Sequence, residues 1–306
     1  MKHRFPRFAA ALLSVVSCQL PVASGQEVGS SGQELVAEAA KRIEREPAIS
    51  AELRYRVAAY GHQLVGTGNY LQLGGGPEKL VKLTLRMPVG SQFATLVEIR
   101  GDDFYWLRRD LPPNPPTLER VNLRDFRLAT LPPGAPTASE VLPQKLWVAL
   151  GGLPRLLLAL ERNFVFDAPR AEALQFSGSD GKSVRELPIW VVSGRIKPDA
   201  LAAMAGGAAA KAPPEQLPDR VELVLGRTDE ILPLFPYRIT YFQTPHAAKT
   251  DGGVPPSHEL LTLELFNVHR KGDIDRREFH YNPGDQEVMD ITAKTVQRWQ
   301  GITKPR

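Results

Sequence analysis

The 306-residue chain contains one cysteine and six histidines. A single cysteine excludes an internal disulfide, and so few soft ligands leave little material for metal or thiol chemistry. No stretch reaches the ~20 consecutive apolar residues that a membrane-spanning helix needs. The formal charge is only +4, and Lys2, Arg4 and Arg7 supply three of those charges from the extreme N-terminus. A broad nucleic-acid footprint is therefore excluded. Catalytic signatures are missing too: there is no Gly-x-Ser-x-Gly elbow and no His-Glu-x-x-His helix. Gly181-Lys182-Ser183 imitates the end of a phosphate loop, but Phe176 stands where its first glycine belongs and no long helix follows. It reads as a hairpin turn. His258, His269 and His280 are too dispersed for a metal site and read as surface residues. Asp102-Asp103 sits in a tight turn, where neighbouring carboxylates point apart and serve local backbone bonds. Arg108-Arg109 reads as a solvated strand end. The chain thus offers no catalytic residue, cofactor site or metal ligand, and is read as non-enzymatic.

What is present begins with a leader. A basic start is followed by an apolar run from Phe8 to Val16 and then by small and polar residues, the pattern of a secretory signal peptide spanning residues 1–25. Two processing routes stay open. Ala23-Ser24-Gly25 suits ordinary signal peptidase, whereas Val15-Val16-Ser17-Cys18 resembles a bacterial lipobox that would lipidate Cys18. Either route exports the chain, to the periplasm or cell envelope, and the second adds an outer-membrane anchor.

The stretch from Ala51 to Leu111 dominates the mature chain. Leu53, Tyr55 and Val57 alternate with polar residues, as do Val81, Leu83, Leu85 and Met87, and again Phe93, Thr95, Val97 and Ile99. Turns fall at Gly61-His62, Gly74 to Pro77, Pro88-Val89-Gly90 and Gly101 to Asp103, and Phe104 to Arg109 closes the run. Period-two apolarity punctuated by glycine, proline and aspartate predicts an antiparallel meander with one buried face. A helix over Glu34–Arg45 precedes it, with Ser31 as N-cap and Leu35, Ala39 and Ile43 on one side. Leu118 to Leu123 predicts a sixth strand. Leu142 to Phe164 is the most apolar part of the mature chain, split by Gly151-Gly152 into two short helices. It reads both as core and as a lid over an apolar cavity, hinged at the glycine pair.

Further strands are predicted at Glu172 to Phe176, Ile189 to Ile196, Val221 to Leu225, Tyr237 to Phe242 and Leu260 to Val268, before a closing helix over Ile291–Gln300. The proline-rich stretch (112–136) and the Ala/Gly-rich stretch (200–214) read as insertions at the rim. The fold class is mainly β, one curved antiparallel sheet with few helices, in a single domain over 26–306.

The C-terminal third carries a pattern: Leu263-x-Leu265-x-Asn267-Val268, Ile274-Asp275, then Phe279-x-Tyr281-x-Pro283-Gly284-x-x-x-Val288-x-Asp290. It resembles the closing segment of the outer-membrane lipoprotein carrier superfamily, which includes LolA, LolB and lipoprotein-sorting relatives. The helix before the meander and the Phe93–Ile99/Phe104–Trp106 unit agree with it. The resemblance implies a last pair of strands ending in a proline-glycine turn, an aspartate capping the final helix, and an unclosed half-barrel whose concave apolar face is plugged by helices. It also implies a hydrophobic ligand: an acyl chain, lipid or lipoprotein. On this basis Leu53, Tyr55, Val57, Leu83, Leu85, Phe93, Val97, Phe104 and Trp106 are expected to line the concave face, with Leu157 and Leu160 covering it. The alternative is a structural or regulatory envelope module, like the superfamily's stress-sensor branch, with a self-packed cavity and function through protein contacts.

Overall fold

The computed structural model describes residues 31–59, 62–130, 143–177, 184–201, 217–227, 232–244, 257–270 and 272–303. The alternation between Ala48 and Asn122 becomes six consecutive antiparallel strands: β1 (Ala48–Ala59), β2 (His62–Leu73), β3 (Leu80–Val89), β4 (Gln92–Arg100), β5 (Phe104–Asp110) and β6 (Thr117–Asn122). A second series comprises β7 (Phe164–Phe166), β8 (Arg170–Ser177), β9 (Val184–Ile196), β10 (Arg220–Gly226), β11 (Pro236–Gln243) and β12 (His258–His269). β12 pairs with β1, so the first and last long strands meet mid-sheet. β7 and β8 lie one after the other along the outer side of β9. A two-residue β13 (Met289–Asp290) adds parallel to β6 at the opposite end. Among the described residues the result is a large open curved sheet of thirteen strands with few helices.

Two glycines of β2 lie close against β3. A Cβ at Gly68 would lie 1.9 Å from the Thr84 carbonyl oxygen, and one at Gly66 3.1 Å from that of Arg86. At Gly68 only a residue without a side chain lets β3 approach this closely.

The inner face is covered by helices. α1 (Gly32–Arg45) opens with a capping box between Ser31 and Glu34 and buries Val36, Ala39, Ala40 and Ile43. It packs against α4 (Leu153–Asn163), which forms a hairpin with α3 (Pro143–Leu150), and α3 rests on β3 and β4. α2 (Leu123–Thr130) and the final helix α5 (Thr292–Thr303) pack together beside β6. Leu123 belongs to α2 rather than to the sixth strand. Asn122 Oδ1 accepts from the Arg124 and Asp125 amides at 2.9 and 3.1 Å, a side-chain cap that turns the chain one residue early.

The outer face is covered as well. Phe279, in a short 3₁₀ turn (Arg276–Phe279), and Ile274 pack on Ala48, Leu80 and Ile99, and Tyr281 stacks on Trp106 with centroids 5.3 Å apart. The expected last strand through Phe279 and Tyr281 is thus a strap across the sheet, and only Met289–Asp290 pairs. Asp290 does cap the final helix, accepting from the Thr292 amide at 3.0 Å. The leader with Cys18, residues 131–136 of the proline-rich stretch and the six after them, residues 202–216 and the Gly178–Gly181 turn lie outside the described residues.

Candidate functional site

Strand register decides what faces the helices. Across the sheet, Leu53 pairs with Gly68, Gly68 with Leu85, and Leu85 with Leu96, while Tyr70 pairs with Leu83, Leu83 with Glu98 and Glu98 with Leu107. Side chains of cross-strand partners share a face. Beneath α3 and α4 this face leaves a hollow of about 110 Å³. β1 contributes Tyr55, β3 Leu83 and Leu85, and β4 Leu96 and Glu98; β11 adds Ile239 and Tyr241, and β12 adds Leu261 and Leu263. Trp147 of α3 and Leu156 of α4 close it.

Three of the expected residues, Tyr55, Leu83 and Leu85, line this hollow. Leu53 is wholly buried beside it, and Val57 is half-buried farther along β1, opposite Leu261. Leu157 and Leu160 are enclosed in the main core, while Leu156 of the same helix reaches the hollow. Four expected residues lie elsewhere. Val97 and Trp106 pack with the outer-face cluster. Phe104 neighbours Trp106 and sits under Arg120, and Phe93 is 47% exposed beneath the Arg86 guanidinium.

The reason is one residue of register. Val89 pairs with Gln92, so the turn is Gly90-Ser91, with Gly90 at φ +60°, and not Pro88 to Gly90. Odd positions of β3 therefore face even positions of β4, and a one-residue displacement exchanges the faces. The Gly90-Ser91 pair, read as a two-residue turn, was the signal available in the sequence.

The hollow is not purely apolar. The Tyr105 hydroxyl donates to Glu98 Oε2 at 2.6 Å, with Tyr105 almost completely buried. Burial raises the Glu98 pKa to about 7, against the opposing pull of the Tyr105 hydrogen bond and Arg109. Burial, then the Glu98 charge, pushes Tyr55 up, and burial followed by Tyr55 does the same to Tyr241. The buried Tyr241 hydroxyl has no hydrogen-bond partner among the described residues.

The cover is fastened by a separate buried relay. The Tyr70 hydroxyl accepts from the Leu153 amide at 3.1 Å and donates to Gln72 Oε1 at 2.8 Å; Gln72 Nε2 donates to the Ile43 carbonyl at 3.1 Å. Trp147 stacks on the Tyr70 ring at 5.8 Å. Between the helices, Gly151 and Gly152 take φ values of +128° and +82°, which side-chain-bearing residues rarely adopt. A Cβ at Gly152 would fall 2.3 Å from the Tyr70 hydroxyl.

Elsewhere, Asp102 is engaged by Arg276 at the rim of a shallow outer depression. His258, His269 and His280 are exposed. Among the described residues no cluster of histidine, cysteine, aspartate or glutamate could hold a metal, and no helix is long and apolar enough to cross a membrane.

No protein-family profile and no curated protein matches the chain. Solved structures do. A DUF1329 family protein from Desulfovibrio piger is 10% identical over 82% of this chain and 96% of its own, with a TM-score of 0.34. A putative outer membrane lipoprotein-sorting protein domain from Vibrio parahaemolyticus is 10% identical, covering 81% of this chain and 96% of that one, with a TM-score of 0.33. A LolA superfamily protein from Nitrosomonas europaea is 12% identical over 82% and 98% of the two chains, with a TM-score of 0.28. The likeness is distant.

Proposed function

We propose that the protein is a non-enzymatic binding protein of the bacterial envelope that holds the acyl chain of a lipid or lipoprotein between the sheet and the α3–α4 hairpin. The observation that carries this reading is the largely aliphatic hollow under a helical cover jointed at Gly151-Gly152. At about 110 Å³ the closed hollow has room for roughly four water molecules, a small fraction of a long acyl chain. Admission of a chain requires the hairpin to lift. The driving force is adequate: burying methylenes yields ~0.8 kcal/mol each, so a sixteen-carbon chain gains about 12 kcal/mol before ordering costs. Lifting the hairpin breaks the Tyr70–Leu153 bond and draws Trp147, Val148, Leu153, Leu156, Leu157 and Leu160 off the core, a cost that the incoming chain offsets by taking their place against the sheet. Export by the N-terminal leader, with or without acylation of Cys18, would place the protein where such lipids are handled.

The test is extraction of the purified full-length protein with organic solvent, followed by mass spectrometry, alongside titration with a lipophilic dye. Co-purifying lipid and a saturable rise in dye fluorescence are expected. A clean extract with no rise overturns the reading and leaves a self-packed module that acts through protein contacts.

A further inference from the structure

The outer face of the sheet carries a second recess, which the lipid-binding reading does not use. It is a shallow depression of about 550 Å³ between the β4–β5 turn (residues 101–103) and the strap. Its floor is aromatic. Phe104 and Trp106 lie two residues apart on β5 with ring centroids 5.8 Å apart, and Tyr281 of the strap stacks on Trp106 at 5.3 Å and 30°. All three are only half-buried. They are also held in place. The Arg120 guanidinium lies 5.1 Å from the Phe104 ring centre, the Tyr281 hydroxyl donates to Gln286 Oε1 at 3.3 Å, and Phe279 anchors the strap in the outer cluster. The rim is charged. Arg276 donates to Asp102 and Arg277 to Asp275, while the exposed Asp103 carboxylate makes no hydrogen bond or ion pair with a described residue. We propose that this depression is a saccharide-binding site for a neutral pyranose with equatorial hydroxyls.

The balance of the lining selects the ligand. Two carboxylates, Asp102 and Asp103, stand against two guanidiniums, Arg276 and Arg277. A ligand charge of either sign therefore meets as many like charges as unlike ones. A hydrocarbon would cover the rings but desolvate the charged rim with nothing in return. A flat aromatic ligand finds one face of Trp106 already taken by Tyr281. A hydroxyl both donates and accepts, so a carboxylate and a guanidinium can each serve it. The C–H face of an all-equatorial pyranose meanwhile covers the exposed part of the aromatic floor. This site is separate from the hollow. Trp106 pairs with Ile99 and belongs to the outer cluster, whereas the neighbouring Glu98 looks into the hollow. Saccharide binding is thus independent of what the sheet and the α3–α4 hairpin hold between them.

Titration of the full-length protein with cellotetraose, a neutral probe with equatorial hydroxyls, tests the site by calorimetry and by tryptophan fluorescence. A Kd on the order of 1 mM or tighter is expected. The β-1,4-linked tetramers of glucuronate and of glucosamine keep the ring geometry but add negative or positive charge, and each should bind about fivefold more weakly or worse. Asp103→Ala removes an acceptor that serves no described residue and should weaken cellotetraose about tenfold. Phe104→Ala removes part of the floor and should weaken it about fivefold. Thermal unfolding establishes that each variant is folded, and Asp103→Ala keeps the test decisive should Phe104→Ala not fold. Lipophilic-dye binding should be the same in the parent and both variants. No binding of cellotetraose at millimolar concentrations overturns the proposal. So does binding that the folded variants leave unchanged, which places the sugar elsewhere, and so does tighter binding of either charged tetramer. A parent protein that binds cellotetraose as described but no dye keeps this site and loses only the lipid-binding reading.

Discussion

Replacing Tyr70 with phenylalanine isolates the fastening of the helical cover. The ring and its stack on Trp147 remain, while the hydroxyl that joins Leu153 to Gln72 is lost. Two buried groups are then stranded: the Leu153 amide, at the first turn of α4, and Gln72 Oε1, in a side chain with no exposure. Leaving a buried polar group unpaired costs ~1–3 kcal/mol. Partial relaxation of Gln72 lowers the sum, so Tyr70→Phe should lose about 2–4 kcal/mol of stability. For a chain of this length that is a fall in Tm of about 5–10 °C. Guanidinium unfolding followed by circular dichroism measures the loss, and amide exchange at Leu153 should accelerate. The glycine turn supplies an internal control. Gly152→Ala strains the backbone in any background, but its collision with the Tyr70 hydroxyl disappears when that hydroxyl is absent. The double variant should therefore be more stable than the sum of the two single losses implies. A change below about 0.5 kcal/mol for Tyr70→Phe, or strict additivity with Gly152→Ala, would refute the assignment of the relay as the latch.

Two further predictions concern the sheet. Glu98 holds its proton up to about pH 7 when folded, against an ordinary value of 4.5. Between those values the folded state binds more protons than the unfolded state. Its contribution is thus full at low pH and is lost as pH rises through that window, by roughly 3 kcal/mol. Urea unfolding of the parent protein and Glu98→Gln from about pH 4 to about pH 8 should show this difference in slope, and parallel curves would contradict it. Gly68→Ala drives a methyl into the Thr84 carbonyl, where only backbone movement can relieve the contact, and should cost about 3 kcal/mol or more. Near-normal stability of that variant in thermal unfolding would show that the close approach of β2 and β3 is not needed.

Much of the fold was legible because local rules and the final packing agree. The Ser31–Glu34 capping box, the strand alternation and Asp290 before the last helix all act over a few residues. The candidate site was less legible, because it depends on which face of each strand looks inward. In β4 both faces carry apolar residues: Leu96 enters the hollow, while Val97 and Ile99 meet the strap on the other side. Alternation alone cannot rank two apolar faces; the Gly90-Ser91 turn can, through the pairing it imposes. Glu98 escaped notice for the same reason, since a carboxylate between two apolar positions reads as solvent-facing. Tyr241 gave no signal, because the burial that isolates its hydroxyl is set by strands distant in sequence. The outward strap was equally hidden, since Phe279 and Tyr281 mimic strand spacing.

The strap has a mechanical consequence. Ile274 and Phe279 grip β1, β3 and β4 from behind, and the chain then hooks β6 through β13 and α5. Such a brace resists both flattening and tighter curling of the first six strands, because either movement would pull the gripped strands out of their common cluster. The back of the cup is splinted. Any extra room a guest demands must come from the front, where two short helices hang from a pair of glycines.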